Sequence, residues 1–420
     1  MEPIVLKNKD HNLKGTVKIT GSKAISNRLL LMEALSFSEV HFNNLSHSHD
    51  TEVLRFYLSF FDTCANSRIA MIVDTGNAGA VMRFIMAYAA IREGKWLITG
   101  HERLKEHTIQ PLVDALRSLG ADIVYTEKEG APPVKINGKP LKGGEVAIDA
   151  QQSSHFVSAL MLIAPYMSRG LTIHLKGKPV SKAYLEMTAQ LIKQSDVDIQ
   201  MENDRIIIKP GDYNLKAQTI EADWNNAAYW YQMAAFSDES DLFIEDLKKE
   251  SIQGEKVLAE FFQQFGVETT FSEKGIRLTK IPFETKEFSF DFTNTPDLAI
   301  PAIVTCAGMN IPGKFTGINK ERLKENSRIE TLENELKKLG ASLTYQNNSI
   351  LLEPGTFSAS ELELEADNDH KLAMSFAPLS KKVQTLKLFS PGTVKKSYPH
   401  FWKDINNFGI RVTIPEGICS

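Results

Sequence analysis

The stretch LVDALRSLGADIVYT, residues 112–126, decides the fold class. Leu112, Leu116 and Leu119 recur at helical spacing and mark one apolar face of a helix. Gly120 follows at once, where a helix end commonly needs a residue with positive φ. The residues after it alternate between apolar and polar, which is typical of a half-buried strand. The stretch therefore predicts a helix, a tight turn and a strand.

The same pattern recurs along the chain at intervals of roughly 60–75 residues, which indicates internal repetition. Strand-like runs such as WLITG, LTIHLKG and RIIIKP lie between the copies. Six α/β units, three to each half, predict two compact three-unit domains, because the period is longer than that of a thin solenoid. The clear copies span 257–271, 328–345 and 401–414, and weaker ones span 53–73 and 185–201.

Length and composition limit the class of protein. A chain of 420 residues exceeds what one hydrophobic core usually supports, which again favours two domains. Hydrophobic residues make up 42% and charged residues 24%, as in globular proteins. The net charge of −4 argues against a nucleic acid or a membrane surface as partner. An anionic ligand would have to be held by local cations.

The cysteines and the chain start indicate the compartment. Cys64, Cys306 and Cys419 are scattered, so neither a disulfide framework nor a zinc site is expected. No signal-type apolar core opens the sequence, and no run of 18 apolar residues occurs. HSHD at 47–50 is better explained as a polar turn that caps a helix than as a metal motif. We expect a cytoplasmic protein without a metal.

GSKAISNR at 21–28 combines turn and cap residues with two cations and runs directly into LLLMEALS. The start of a helix offers free backbone N–H groups and the positive end of the helix dipole. With Lys23 and Arg28 added, this segment is suited to binding an anion. Taken alone, it is equally compatible with an ordinary helix cap that carries exposed basic residues.

A series of motifs runs along almost the whole chain: GSKAISNRLLLMEALS, GNAGAVMRF (76–84), ERLKEHTIQPLVDALRSLGADI (102–123), SSHFVSALMLIAP (153–165), VSKAY (180–184), TPDLAIPA (295–302), RLKENSR (322–328), DNDHKLAMSFAP (367–378) and VKKSYPHFW (394–402). Together with the six α/β units, these motifs give the chain a resemblance to the 5-enolpyruvylshikimate-3-phosphate synthase family. The resemblance implies an α/β fold of the two-domain enolpyruvyl transferase type, an inside-out α/β barrel with three βαβαββ units in each domain.

The resemblance also implies domain boundaries and a reaction. Residues 21–221 would form an N-terminal domain, and residues 1–20 with 222–420 a C-terminal domain, with the active site in the cleft between them. The family transfers the carboxyvinyl group of phosphoenolpyruvate to the 5-hydroxyl of shikimate 3-phosphate and releases phosphate, in the shikimate pathway of aromatic amino acid biosynthesis. It uses no metal or organic cofactor. We expect a monomer that acts on these small molecules, with no nucleic-acid or membrane partner.

Binding roles transfer from the family residue by residue. Lys23 would touch both substrates, and Arg28 would bind the carboxylate of shikimate. Asn77 and Gly79 would let phosphoenolpyruvate approach the backbone closely. The residues expected around shikimate 3-phosphate are Ser153, Ser154, His155, Ser181, Tyr184, Asp297, Lys320 and Lys324.

The chemical steps need one group that takes a proton and another that gives one. Asp297 would take the proton of the attacking 5-hydroxyl, and Glu325 would protonate the methylene carbon of phosphoenolpyruvate. The resulting tetrahedral ketal would lose phosphate and a methyl proton. A donor acid needs a raised pKa, whereas neighbouring cations lower it, so substrate binding must change that balance. The other groups expected around phosphoenolpyruvate are His107, Arg328, His370, Lys371 and Lys396, of which His370 and Lys396, with Lys23, are further catalytic candidates.

Several positions depart from the family pattern. An arginine is replaced by a histidine in KEHT and by a lysine in DNDHKLAM, so a fixed bidentate partner for an anion is lost at each. We therefore expect weak phosphoenolpyruvate binding that improves as the pH falls and the histidine gains charge. The departing residues are Ala24, Ala80, His107, His155, Lys320 and Lys371.

These departures leave two alternatives open. The first is a divergent paralogue that binds another phosphorylated substrate or is catalytically degenerate. The second is UDP-N-acetylglucosamine enolpyruvyl transferase, which shares the fold but normally carries a reactive cysteine on a mobile loop. The corresponding segment GHERLKEHTIQP has no cysteine. Synthase activity is favoured because the candidate base and acid, Lys23, Arg28 and Lys396 are all present.

Overall fold

The computed structural model describes residues 2–64, 69–318, 328–346, 348–355 and 360–415. The chain forms two compact units. The first unit is Ser22–Ile220, and the second unit joins Met1–Gly21 to Glu221–Ser420. Where the chain leaves and re-enters the second unit, Gly21 and Ala222 form an isolated β-bridge.

The chain begins with two strands of the second unit, β1 (Ile4–Asn8) and β2 (Leu13–Val17). The first unit then alternates helices with short strands. Its helices are α1 (Lys23–Ser36), α2 (His49–Cys64), α3 (Gly79–Ile91), α4 (Glu102–Lys105), α5 (Gln110–Ser118), α6 (Ser154–Ile163) and α7 (Lys182–Gln194), and its strands are β3 (Phe42–Asn43), β4 (Met71–Asp74), β5 (Gly94–Thr99), β6 (Asp122–Tyr125), β7 (Val134–Gly138), β8 (Gly144–Asp149), β9 (Leu171–Lys176), β10 (Ile199–Met201), β11 (Arg205–Ile208) and β12 (Gln218–Thr219).

Two four-stranded sheets of the first unit have the same topology. Their orders are β4-β5-β7-β6 and β8-β9-β11-β10. In each, a helix joins two parallel strands, and a second helix leads to an antiparallel pair, which is the predicted βαβαββ order. The third repeat is shorter among the described residues. Helices α1 and α2 accompany only the parallel ladder of β3 and β12, in which Phe42 pairs with Gln218.

The second unit repeats the same alternation. Its helices are α8 (Trp224–Phe236), α9 (Leu258–Phe261), α10 (Ala299–Met309), α11 (Arg328–Lys337), α12 (His370–Phe376) and α13 (Phe401–Asn406), and its later strands are β13 (Ser240–Glu245), β14 (Val267–Ser272), β15 (Gly275–Lys280), β16 (Phe288–Asp291), β17 (Gly313–Thr316), β18 (Ser342–Gln346), β19 (Ser349–Glu353), β20 (Glu361–Glu365), β21 (Thr385–Phe389) and β22 (Ile410–Thr413).

Strands β1 and β2, from the start of the chain, each complete a sheet whose other strands come from after residue 239. The sheet orders are β2-β13-β15-β14, β16-β17-β19-β18 and β20-β21-β1-β22. Strand β2 is parallel to β13, whereas β1 is antiparallel to both β21 and β22. The first unit is therefore inserted into the first repeat of the second unit, between β2 and α8.

The predicted helix–turn–strand segments are confirmed in detail. Gly120, Gly266, Gly340 and Gly409 follow helical segments with φ of 95°, 75°, 73° and 82°. In a weaker copy Asp196 takes the equivalent turn with φ of 63°. Glycine adopts this conformation without the steric penalty of a Cβ, which explains why the clearest copies carry it.

The helices form the interior of each unit. Helices α3 and α6 in the first unit and α8 and α10 in the second are buried along nearly their whole length. The aromatic stretch on α8, including Trp224 and Trp230, belongs to the core of the second unit, as the sequence indicates. Within the part of the chain that the structure describes, no helix has the length and apolarity needed to cross a membrane.

Candidate active site

The helices α6 and α7 of the first unit begin side by side. The backbone N–H of Val180, just before α7, donates to the carbonyl of Ala150, just before α6, at 3.1 Å. Ser153 caps α6, where its hydroxyl accepts from the N–H of His155 at 3.3 Å. Ser181 precedes α7 with a left-handed φ of 56°. Two positive helix ends are thereby brought to the same place.

Two serine hydroxyls at these helix starts have no hydrogen-bond partner among the residues that the structure describes. The Oγ atoms of Ser154 and Ser181 are buried, and each residue is 1% exposed. An unsatisfied buried hydroxyl costs about 1–3 kcal/mol, so such pairs are uncommon unless a ligand satisfies them. We call Ser153, Ser154 and Ser181, with the two helix starts, the serine pocket. Its free hydroxyls and helix dipoles are suited to an anion such as a phosphate.

Arg28 from α1 is buried against the same two helices. Its Nε donates to Thr188 Oγ1 on α7 at 2.7 Å, and its Nη2 donates to Ser158 Oγ on α6 at 3.2 Å. Further bonds run to the carbonyls of Ala24 and Tyr184. Arg28 is 1% exposed, so these bonds hold a buried positive charge against the two helices that form the serine pocket. Ser158 and Thr188 were not among the predicted site residues.

Aromatic rings flank this cation. The guanidinium carbon of Arg28 lies 5.5 Å from the ring centre of Phe84 and 5.8 Å from that of Tyr184. The His155 ring stacks on Tyr184 with centroids 6.1 Å apart, and its Nδ1 is 3.4 Å from Ser153 Oγ. The predicted residues Arg28, Ser153, His155 and Tyr184 are therefore neighbours in the structure.

Lys23 has an acidic partner that the sequence did not select as a site residue. Its Nζ is 3.1 Å from Asp50 Oδ2, and the Asp50 side chain is only 6% exposed. The second oxygen of Asp50, Oδ1, is buried and has no hydrogen-bond partner among the described residues. The sequence offered two signals for Asp50, the HSHD turn and the resemblance to the family, which implies a position near shikimate.

The GNAG loop leads into α3 beside α6. Gly79 begins α3, and its carbonyl accepts from Arg83 Nη1 at 2.6 Å. A Cβ at Gly79 would lie 2.8 Å from that nitrogen, so the position has little room for a side chain. Asn77 is exposed, and His107 is half-buried just after α4. Arg83, whose guanidinium lies 5.0 Å from the Phe156 ring, is a cation that sequence reasoning missed.

In the second unit, Arg328 and Asp369 form a buried ion pair. Arg328 donates from Nε to Asp369 Oδ2 at 2.6 Å, and the two side chains are 18% and 7% exposed. Asp369 also caps α12 by accepting from the N–H of Lys371 at 2.8 Å. Burial favours the neutral carboxyl, but the charges of Arg328 and Lys371 and the N–H of Leu372 together outweigh that effect and lower the pKa of Asp369.

The candidate base Asp297 is paired with Lys371. Asp297 lies in the 3₁₀ turn Pro296–Leu298 that leads into α10, and its Oδ1 accepts from Lys371 Nζ. Burial lowers the pKa of Lys371, an effect that Asp297 opposes and Arg328 reinforces. Asp297, Arg328, Asp369 and Lys371 form what we call the ion-pair quartet. Its two cations and two carboxylates balance one another.

Three further residues lie around the quartet. His370 is buried at the start of α12, and Lys396 is half-buried at the end of the turn Pro391–Lys396, which packs against α12. Tyr229, a buried residue of α8, was not predicted. Its pKa is raised well above the ordinary value by burial and by the nearby carboxylates of Asp297 and Asp369.

Three predicted residues, Lys320, Lys324 and Glu325, lie outside the described residues. Among the residues that are described, no group of three or more His, Cys, Asp or Glu side chains is placed to hold a metal. A small cavity of about 20 Å³ adjoins Asp297, Arg328 and Lys371. A larger open hollow of about 760 Å³ in the second unit contains none of the predicted residues.

Comparisons with known proteins agree with the resemblance. The family model described as EPSP synthase (3-phosphoshikimate 1-carboxyvinyltransferase) matches residues 7–405. A 3-phosphoshikimate 1-carboxyvinyltransferase of Bacteroides fragilis is 38% identical over 96% of this chain and 97% of its own, and one of Hamiltonella defensa is 31% identical over 94% and 96%.

A solved structure of EPSP synthase from Acinetobacter baumannii superposes with a TM-score of 0.78 over 98% of this chain and 100% of its own, at 19% identity. This likeness confirms the predicted α/β fold. Nothing in the comparisons favours the degenerate alternative. Because the family model covers nearly the whole chain and the relatives exceed 30% identity over more than nine-tenths of it, this chain belongs to the EPSP synthase family.

Proposed function

We propose that this chain transfers the carboxyvinyl group of phosphoenolpyruvate to the 5-hydroxyl of shikimate 3-phosphate and releases phosphate, as a step of aromatic amino acid biosynthesis. The observation that carries the proposal is the pair of buried hydroxyls of Ser154 and Ser181 at two adjacent helix starts, neither of which has a hydrogen-bond partner within the described ranges. A dianionic phosphate would satisfy both hydroxyls and the free N–H groups around them.

The first unit would hold shikimate 3-phosphate. Its phosphate would enter the serine pocket, with Tyr184 and His155 against the ring and Arg28 directed at the carboxylate. Lys23, which Asp50 orients, would lie between the two substrates. The remaining binding roles expected from the family, including those of Asn77, Gly79, His107, Lys320 and Lys324, are part of the same proposal.

The second unit would supply the base and the cations that receive phosphoenolpyruvate. Asp297 would take the proton of the 5-hydroxyl while its oxygen attacks the enol carbon, and Glu325 would protonate the methylene carbon. The tetrahedral intermediate would then expel phosphate, and loss of a methyl proton would restore the double bond. Arg328, Lys371 and Lys396 would stabilise the negative charges, with His370 beside them.

The proposal is tested by following phosphate release from the purified protein with each substrate alone and with both together. Release is expected only when both are present. Asp297→Asn keeps the size of the side chain but removes the base, so turnover should fall by about 10²–10⁴-fold while shikimate 3-phosphate still binds. Saturable binding of shikimate 3-phosphate without any phosphate release would overturn the proposal.

Two coarser expectations accompany this function. We propose that the protein acts in the cytoplasm and as a monomer, without a nucleic-acid or membrane partner. Light scattering on the purified protein checks the oligomeric state, and a dimer that persists on dilution would contradict the monomer.

A further inference from the structure

The contact between Lys371 and Asp297 bears on how the proposed base becomes active. Asp297 Oδ1 accepts directly from Lys371 Nζ, and the two side chains are only 33% and 15% exposed. The pairing lies within the second unit, on the turn that leads into α10 and on the first turn of α12, and these two helices pack against each other. A base in this state has an ammonium group on the oxygen that should take the proton.

This pairing opposes proton transfer. An adjacent positive charge stabilises a carboxylate in its ionised form, so the carboxylate gains a proton only at lower pH. The lone pair that accepts from Lys371 is also unavailable to a substrate hydroxyl. Asp297 can therefore work as an efficient base only after its bond to Lys371 has been weakened.

Lys371 is suited to being drawn away. An ammonium on a flexible four-carbon stem carries three donors and can turn from one acceptor to another, unlike the planar fork of an arginine. Burial and the nearby Arg328 destabilise the charged form of Lys371, whereas the carboxylates of Asp297 and Asp369 stabilise it. An incoming anion would give it a second, stronger partner.

The surrounding groups leave Lys371 as the adjustable member of the quartet. Arg328 is held by two bonds to Asp369, which in turn caps α12. Tyr229 faces the carboxylates from α8, and its raised pKa keeps it neutral at physiological pH. The segment that ends in Lys396 packs against α12 and adds a cation on that side.

We propose that Lys371 restrains Asp297 in the free protein, and that phosphoenolpyruvate activates the base by drawing Lys371 onto its own anionic groups. This rests on the proposed function. Lys371 is then a positioning residue for the base as well as a binding residue. Binding of phosphoenolpyruvate would allow Asp297 to take the proton from shikimate 3-phosphate. Without phosphoenolpyruvate, that proton transfer would be suppressed.

The test compares Lys371→Met, Lys371→Arg and, as a control, Lys403→Met, an exposed lysine on α13. Carbon-13 NMR of labelled aspartate carboxyls gives a readout that does not need turnover, with the Asp297 signal assigned by its absence in Asp297→Asn. In the free protein, Lys371→Met should raise the pH at which Asp297 titrates by about one unit or more, while Lys371→Arg and Lys403→Met leave it near the wild-type value. Both substrates together should raise it in the wild type.

Kinetics give the second readout. The acid limb of the kcat/KM profile for phosphoenolpyruvate, which reports the enzyme before phosphoenolpyruvate binds, should move to higher pH in Lys371→Met and return in Lys371→Arg. If Asp297 titrates at the same pH in the wild type and in both Lys371 variants, the restraint is refuted even though phosphate release continues. If the titration shifts as expected while the wild type releases no phosphate, the ion pair is upheld and the proposed reaction fails instead. Should Lys371→Met not fold, the wild type with and without both substrates still decides the matter, because an unchanged titration of Asp297 on adding them refutes the proposal.

Discussion

The serine pocket and the ion-pair quartet use opposite means to prepare for anions. In the serine pocket, the donors are hydroxyls and helix N–H groups, and the buried Arg28 beside the same helices donates to the hydroxyls of Thr188 and Ser158. In the quartet, Arg328 and Lys371 are bound to Asp369 and Asp297. A pocket of neutral donors should recognise one phosphate by shape with little dependence on salt, whereas paired charges should respond to pH and to the arrival of other charges.

The largest expected effect tests the serine pocket. Ser154→Ala with Ser181→Ala removes two buried hydroxyls that have no partner in the described part of the chain, so stability should be unchanged or slightly higher. Affinity for shikimate 3-phosphate should fall by about 10²-fold or more, because each lost bond to a charged phosphate is worth about 1.5–3 kcal/mol. Calorimetric titration and thermal unfolding measure the two quantities.

Ser118→Ala is the matched control for this double variant, since Ser118 lies on the same unit away from the pocket and its hydroxyl donates to the carbonyl of Ala115. It should leave the affinity unchanged. A double variant that binds shikimate 3-phosphate as tightly as the wild type would show that the serine pocket is not its phosphate site.

The next largest expected effect tests the ion-pair quartet. Asp369→Asn keeps a residue able to cap α12 but leaves Arg328 buried without its carboxylate, which should lower the free energy of unfolding by about 3 kcal/mol at pH 7. The exposed pair of Arg277 and Asp241 is the control, and Asp241→Asn should change stability by less than about 1 kcal/mol.

The pH dependence of this prediction follows from the lowered pKa of Asp369. A carboxyl with a depressed folded-state pKa stabilises the protein above its ordinary value near 4, and this contribution is lost as the pH falls through the lower folded value. Urea unfolding should therefore show the wild type and Asp369→Asn converging below about pH 4. An equal difference in the free energy of unfolding between the two proteins at pH 7 and pH 3 would contradict the lowered pKa of Asp369.

The smallest effect tests the repeated turns on which both units are built. Gly120 has φ of 95° and open space where a Cβ would lie, so Gly120→Ala should cost about 1 kcal/mol from backbone strain alone. Asp196→Gly, in the copy without glycine, should change stability by less than about 0.5 kcal/mol, because relief of strain is offset by greater freedom of the unfolded chain. Chemical denaturation measures the free energy of unfolding of both variants. Equal losses of stability in the two would contradict the assignment of both residues to the same kind of turn.

The fold could be predicted because its signals are local. The stripe Leu112–Leu119 and the glycine after it lie within one helix and one turn, and each repeat carries the same information. The shortened third repeat could not be foreseen, because the pairing of Phe42 with Gln218 joins residues far apart in sequence. Nor does any local pattern show that β1 completes the sheet of β21 and β22.

The candidate site residues could be selected by type from the sequence, but their pairing could not. Lys23, Arg28, Asp297 and Lys371 follow from motifs, whereas the contacts they make do not. Thr188 and Ser158 hold Arg28 from helices more than a hundred residues away, and nothing in the sequence around either marks it as a partner of Arg28. The same holds for the union of Lys371 with Asp297, which depends on how α10 packs against α12.

The most direct measurement is proton NMR of the products after the protein is incubated with shikimate 3-phosphate and phosphoenolpyruvate. The account predicts a pair of vinyl proton signals from an enol ether on the oxygen of ring carbon 5, appearing together with an equal amount of inorganic phosphate. Phosphate that appears with pyruvate and leaves shikimate 3-phosphate unchanged would contradict it.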